Sequence, residues 1–214
     1  SHLRHGHVEF IRDKLKAKYI AEAIETEDSP SASEIRQALE IDADCGATLH
    51  SLNRAFFAFR AHTQARDSFS ELDWAIVKHA YGSNALATRS ICFSAYILFR
   101  IFNVGSWRID LQPKLTHPLP PFRAYAIGAT AYEIFSQRTE YEYNADLFML
   151  DHSHTIESAE FAFTTIAPDE YKYSYYDNVA NSEYTDFYIS RFQRTWSGIS
   201  PLLERYKRGG TIPK

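Results

Sequence analysis

The sequence predicts a mainly α-helical fold, and two observations support that prediction. The chain has eight glycines and eight prolines in 214 residues. Together they make up a clearly smaller share of the chain than the average of about 12% for these two residue types. Apolar residues also recur at the three- and four-residue spacing of an amphipathic helix over long stretches of the chain. Long helices with few interruptions account for both.

Each predicted helix has its own boundary signals. Ser31 and Glu34 form a capping box, which predicts that a helix begins there. Gly82 and Gly105 each follow an apolar periodic stretch and are expected to end a helix, and Pro201 is expected to follow the last one. The predicted helices cover 8–26, 34 to beyond 57, 70–80, 85–103, 122–137 and 184–196. The stretch 140–151 either extends the fifth helix or forms another.

One stretch divides the chain. Residues 106–121 contain four of the eight prolines and are expected to be extended or turn-like. We therefore predict a helical half at 1–105 with the candidate metal-site helices, a proline-rich loop at 106–121 and a tyrosine-rich helical half at 122–214. The length fits a single domain overall.

Composition and charge exclude several classes of protein. The net charge of −4 offers no basic surface for nucleic acid. The most apolar run, 91–104, is interrupted by Arg100 and is shorter than the roughly 18 residues of a membrane span. Cys45 and Cys92 are too few for a disulfide framework and are expected to be buried thiols. We expect a cytoplasmic protein that binds neither nucleic acid nor membrane.

Histidines are concentrated at the start of the chain. His2, His5 and His7 lie within the string SHLRHGH, and such crowding is typical of metal binding. A Ser-His start is equally typical of a cleaved tag, and exposed terminal histidines usually bind nothing. This string alone leaves both interpretations open.

Two carboxylates on the second predicted helix are a second candidate feature. Glu40 and Asp44 lie four residues apart on one face, where like charges repel by a few tenths of a kcal/mol. A divalent cation bound by one carboxylate, with the other orienting a ligand imidazole, would compensate that repulsion. Two solvated acids at the edge of an amphipathic face are the alternative.

Read together, these segments resemble a known family. SHLRHGH and ALEIDADCGAT resemble the HExxH zinc metallopeptidases of the gluzincin class, and more narrowly the phage-exclusion, prophage-regulatory and CAAX-protease-like relatives. The residues that carry the resemblance occur in the family's order: His2, Gly6-His7, Glu40 with Ala43-Asp44, Thr116-His117-Pro118 and Arg123.

The resemblance implies a zinc site and a reaction. His2 would be the second histidine of the motif and Glu40 the third zinc ligand, with Asp44 behind a ligand imidazole. His117 and Arg123 would shape or close the site. The first histidine and the catalytic glutamate would lie upstream of Ser1, so this chain is expected to hold no catalytic residue of its own. It would be the C-terminal portion of a zincin-like helical enzyme, without its N-terminal sheet and with the missing N-terminal segment as a partner.

A second Glu-x-x-Ala-Asp string competes with the first. Glu142 and Asp146 spell it, and His152 and His154 follow. We prefer Glu40, because the family places this motif before the Thr-His-Pro loop. His152 and His154 cannot share a helical face and are expected to be surface residues. The isolated histidines His50, His62 and His79 are expected to be ordinary, partly buried residues.

The predicted function is zinc-dependent hydrolysis of peptide bonds in a protein or peptide substrate by a metal-activated water. Two alternatives stay open. One is a helical interaction module without catalysis, in which the aromatic C-terminal third of the chain, including the tyrosine-rich stretch 171–188, binds a partner. The other is a pseudo-peptidase that keeps the fold and serves as a sensor.

Overall fold

The computed structural model describes residues 5–15, 30–102, 117–137, 145–167 and 182–209. Within these ranges the chain forms helices and no strand, which confirms the mainly α-helical class. The α-helices are α1 (His7–Phe10), α2 (Ala32–Gln64), α3 (Glu71–Tyr81), α4 (Asn84–Phe102), α5 (Pro120–Gln137), α6 (Ala145–Ile166) and α7 (Ser182–Leu203). A π-helical turn at Ile11–Leu15 follows α1, and a 3-10 turn at Arg66–Ser68 follows α2.

The capping box predicted at the start of α2 is present. The backbone N–H of Ser31 donates to Glu34 Oε2 at 2.7 Å, and the backbone N–H of Glu34 donates to Ser31 Oγ at 3.2 Å. Burial favours the neutral form of Glu34, but the bonds from Ser31 and from Arg191 outweigh it and lower the pKa of this carboxyl. Glu34 is therefore ionised at neutral pH and fixes where α2 begins.

The other predicted boundaries are confirmed in part. Ser70 caps α3 by accepting from the backbone N–H of Asp73 at 3.1 Å, and Gly82 follows its end. Pro201 lies inside α7, which continues to Leu203, so the prediction that this helix stops before the proline was wrong. The first predicted helix is described only as far as residue 15, and 171–181 of the tyrosine-rich stretch lie outside the described residues.

The chain divides into two compact units. Unit 1 comprises Ser1–Asp44, Trp107–Leu119 and Tyr176–Lys214, and unit 2 comprises Cys45–Ser106 and Pro120–Tyr175. The helix α2 contributes its first part to unit 1 and its remainder to unit 2. The prediction of two halves separated by a loop at 106–121 stays a prediction, since most of that loop lies outside the described residues.

The core of unit 1 joins the N-terminal segment to α2 and α7. Phe10 is 1% exposed and its ring meets Tyr206 edge to face, with 5.9 Å between centroids. The other buried members of this core are Ile35, Ala38, Leu39, Trp196, Ile199 and Leu203. Burial of this apolar surface anchors residues 5–15 against both helices.

Unit 2 has a core between α2, α4, α5 and α6. One cluster contains Leu52, Ala131, Ile134, Phe135 and Phe148, and another contains Cys92, Phe99 and Ile127. Burial raises the pKa of the Cys92 thiol to about 12, so it stays protonated. Cys92 is the buried thiol that was predicted, whereas Cys45 is half-buried. Among the described residues, no helix combines the length and apolarity needed to cross a membrane.

Candidate metal centre

Three side chains that can ligate a metal converge inside unit 1. His5 Nδ1 lies 2.5 Å and His7 Nε2 lies 2.9 Å from the same oxygen, Asp42 Oδ2. One ligand atom from each residue falls within 4.8 Å of the others. His7 is completely buried, and His5 and Asp42 are 8% and 4% exposed. The described residues contain no other group of three such side chains.

The backbone at Gly6 aims both imidazoles at one carboxylate. Gly6 has a φ of +75°, a left-handed conformation that strongly favours glycine. A Cβ at this position would lie 2.2 Å from the carbonyl oxygen of Tyr206. Both the dihedral angle and the close approach to Tyr206 therefore require glycine between His5 and His7.

Helix α2 presents Asp42 to its apolar side. Ile35, Ala38, Leu39 and Asp42 are spaced as i, i+3, i+4 and i+7, and all four are at most 4% exposed. This spacing defines one face of an α-helix. Asp42 therefore extends the core stripe of α2 as a charged residue, and a buried charge requires compensating partners.

The two imidazoles supply that compensation. Burial opposes ionisation of Asp42, but its hydrogen bonds and Coulombic attraction to His7 and His5 prevail and hold the pKa of this carboxyl below its ordinary value of 3.8. Asp42 is therefore a carboxylate at neutral pH. An ionised carboxylate beside two imidazoles is a donor set ready for a cation.

The chemistry of the donors fits zinc. Zinc in proteins takes histidine nitrogen and carboxylate oxygen at about 2.0–2.2 Å in tetrahedral geometry, which places ligand atoms about 3.4 Å apart. The nitrogens now lie 2.5 and 2.9 Å from Asp42 Oδ2. An ion would replace the protons shared with the carboxylate and lengthen these two distances by less than about 1 Å.

The residues predicted as ligands lie elsewhere or outside the described residues. His2 is outside them, so its predicted contact with Glu40 stays a prediction. Glu40 Oε1 lies 3.6 Å from Nδ1 of the exposed His117, so the structure brings these two predicted residues together. Asp44 is 9% exposed and is not a member of the three-residue group. Arg123 belongs to unit 2, where its guanidinium lies 4.1 Å from the centre of the Phe99 ring.

Sequence reasoning named His5 and His7 only as members of the histidine string, chose His2 as the ligand, and missed Asp42. It concentrated on Glu40 and Asp44 because they lie one helical turn apart. Asp42 is two residues from Glu40, about 200° around the helix axis. The signal that would have identified Asp42 is its place on the stripe begun by Ile35, because an acid in line with core residues must have a partner.

The histidines of the competing motif differ from each other. His154 is exposed as predicted, but the prediction that His152 lies at the surface was wrong, since His152 is 7% exposed. Glu142 lies outside the described residues. Of the isolated histidines, His62 is half-buried against Phe69, whereas His50 and His79 are exposed.

Comparison of the chain with protein-family models, with curated proteins and with solved structures finds no match.

Proposed function

We propose that unit 1 binds one zinc ion through His5, His7 and Asp42, and that the ion fastens the segment 5–15 to α2. The observation that carries the proposal is the convergence of two imidazoles on one ionised carboxylate, with every ligand atom within 4.8 Å of the others.

Burial determines the kind of site. Structural zinc sites are closed by four protein ligands, whereas catalytic sites have three and keep the fourth position open to water and substrate. The described residues supply three ligands here, so burial is the observation that favours a structural site. His5, His7 and Asp42 are each less than 10% exposed. A zinc ion at this position is therefore proposed to stabilise the fold, and a ligand that binds only the folded state adds about 2.7 kcal/mol at a hundredfold excess over its Kd.

Zinc-dependent hydrolysis of peptide bonds is a second candidate function. The observation in its favour is that Glu40, the ligand implied by the family resemblance, meets His117, the residue of the Thr-His-Pro loop. In this candidate Glu40 and His2 hold the ion, and the first histidine and the general base implied by the resemblance are not among the residues of this sequence. The substrate is a protein or peptide, attacked by the metal-activated water.

Zinc stoichiometry in matched variants distinguishes the two ligand sets. We expect the chain, stripped with chelator and reloaded with zinc, to retain about one ion by elemental analysis. His7→Ala and Asp42→Ala should each weaken zinc binding at least tenfold, while Glu40→Ala and His2→Ala retain it. His50→Ala, an exposed histidine of α2, is the control, and circular dichroism verifies that each variant is folded.

The opposite pattern identifies the other site. If Glu40→Ala and His2→Ala release zinc while His7→Ala and Asp42→Ala do not, the proposal for His5, His7 and Asp42 is wrong. Hydrolysis is then tested by incubating the zinc-loaded protein with a protein mixture and searching for new termini that chelator prevents. If the parent chain itself binds no zinc, the proposal for His5, His7 and Asp42 is wrong.

A further inference from the structure

A histidine in unit 2 is buried without any hydrogen-bond partner among the described residues. His152 on α6 is 7% exposed, and neither Nδ1 nor Nε2 has a partner. One face of its ring stacks on Phe148 of the same helix, at 5.6 Å between centroids and 24° between planes. An aromatic, apolar setting suits the neutral imidazole and disfavours its charged form.

The ring of His152 also fixes how closely α5 approaches. A Cβ added to Gly128 would lie 2.5 Å from His152 Nε2 and 2.9 Å from its neighbouring carbon. Real Cβ contacts are longer than this. The imidazole therefore occupies the space that a side chain at position 128 would fill. The contact between His152 and Gly128 is one of the points where α5 packs on α6, beside the ring contact between Phe135 and Phe148.

The charged groups of the neighbouring helices are engaged with other partners. On α4, Arg89 pairs with Asp151, while Arg100 and Tyr96 both contact Glu160. On the other helices of unit 2, the carboxylate Glu133 of α5 is exposed, as are Tyr125 and Tyr132. Cys92 on α4 is buried and protonated, Arg123 on α5 lies over Phe99, and Cys45 on α2 has its thiol 4.0 Å from the carbonyl oxygen of Ala126. No described carboxylate is placed to neutralise a charge on His152.

We infer that the contact between His152 and Gly128 is an acid-sensitive joint, in which protonation of the imidazole separates α5 from α6 and opens unit 2. The protonated ring needs water or a counter-charge, and the packed site offers neither. The inference rests on unit 2 alone and does not depend on zinc in unit 1.

The direction of the pH effect follows from burial. Burial lowers the pKa of His152 from 6.5 to about 4, which is about a 300-fold loss of proton affinity. The unfolded chain therefore binds more protons than the folded chain between these values. The contribution of His152 to stability is fully present above pH 6.5 and is lost as the pH falls toward 4.

Glu160 acts in the opposite direction. Burial raises the pKa of its carboxyl despite Tyr96 and Arg100, so its contribution is present at low pH and is lost as the pH rises through that raised pKa. The pH dependence of the wild-type chain is the sum of both groups. Only the difference in pH dependence of stability between wild type and a His152 variant isolates the contribution of the contact between His152 and Gly128.

Thermal unfolding and amide exchange at several pH values test the inference. From pH 7 to pH 5, we expect the wild-type Tm to fall and the exchange of α5 and α6 peptides, corrected for intrinsic rates, to rise at least tenfold. His152→Phe keeps an aromatic ring against Phe148 without a titrating group, and should reduce both changes. His154→Phe, two residues away and exposed, should leave both as in wild type.

A second measurement holds even if His152→Phe fails to fold. In the wild-type chain labelled at its histidine rings, the NMR signal assigned to His152 should titrate near pH 4 or disappear as unit 2 opens. A signal that titrates near 6.5 while α5 and α6 stay protected would overturn the inference, as would equal pH dependence in wild type and His152→Phe.

Discussion

The two units each bury a carboxylate, and they neutralise it by different means. In unit 1, Asp42 lies between two imidazoles, and its pKa is lowered. In unit 2, Glu160 meets the guanidinium of Arg100 at 3.0 Å and the hydroxyl of Tyr96, and burial raises its pKa although both partners lower it. The partners decide what each carboxylate can do. Imidazoles have lone pairs that can bind a metal, whereas a guanidinium has none.

The carboxylate of Asp42 can accept a metal cation together with its two histidines, whereas the carboxylate of Glu160 is already paired with the side-chain cation of Arg100. Arg100 is 2% exposed and also lies 4.4 Å from the centre of the Phe163 ring. Such a pair can hold helices together, but its guanidinium offers an incoming ion no lone pair. Acidic residues in a helical core therefore indicate a metal site only when their partners are themselves ligands.

Breaking the pair in unit 2 should have the largest effect on stability. Arg100→Met leaves Glu160 buried without its cation, and we expect a loss of about 3–5 kcal/mol in the free energy of unfolding, measured in urea. Arg100→Met combined with Glu160→Met should recover most of that loss, because two apolar residues replace the pair. Arg89→Met removes a half-exposed pair with Asp151 and should cost less than about 1 kcal/mol. A loss of less than about 1 kcal/mol in Arg100→Met would contradict this account of the buried pair in unit 2.

The glycine between the two histidines of unit 1 should have an intermediate effect. Gly6→Ala places a Cβ at a positive φ and against the backbone of Tyr206, and we expect a loss of about 2 kcal/mol with weaker zinc binding. Gly198→Ala in α7 is the matched control, since a Cβ there meets nothing within 4 Å. Better helix propensity should make that variant more stable by about 0.5–1 kcal/mol. Equal stability of the two variants would show that Gly6 imposes no constraint.

The cap of α2 should have the smallest effect of the three. Ser31→Ala removes one half of the capping box and should lower the free energy of unfolding by about 1 kcal/mol. Because α2 carries Asp42 well beyond its first turn, zinc binding should stay at the wild-type level. A large loss of zinc in this variant would mean that the metal centre depends on the start of the helix.

Helices were predictable from the sequence because their signals are local. Ser31 with Glu34 and Ser70 with Gly82 mark ends within a few residues, and the structure confirms both. Pro201 misled the prediction because it lies in the last turn of α7, where the helix has few further bonds to lose.

The candidate site was less predictable because it depends on contacts between distant segments. His5 and Asp42 are 37 residues apart, and nothing in either local string shows that they meet. His152 was misjudged for a related reason. Its burial depends on Gly128 of another helix. A glycine in the sequence does not indicate which distant side chain fills the space beside it.

The left-handed glycine at position 6 suggests a simple building block for protein engineering. Histidines two apart diverge on a regular helix, yet the His-Gly-His tripeptide at the start of α1 directs both rings to a single oxygen. If these three residues are placed before a helix that packs against an acidic core residue, their two imidazoles should act together as metal ligands. In a library randomised at the middle position and selected for zinc retention, glycine should dominate the survivors.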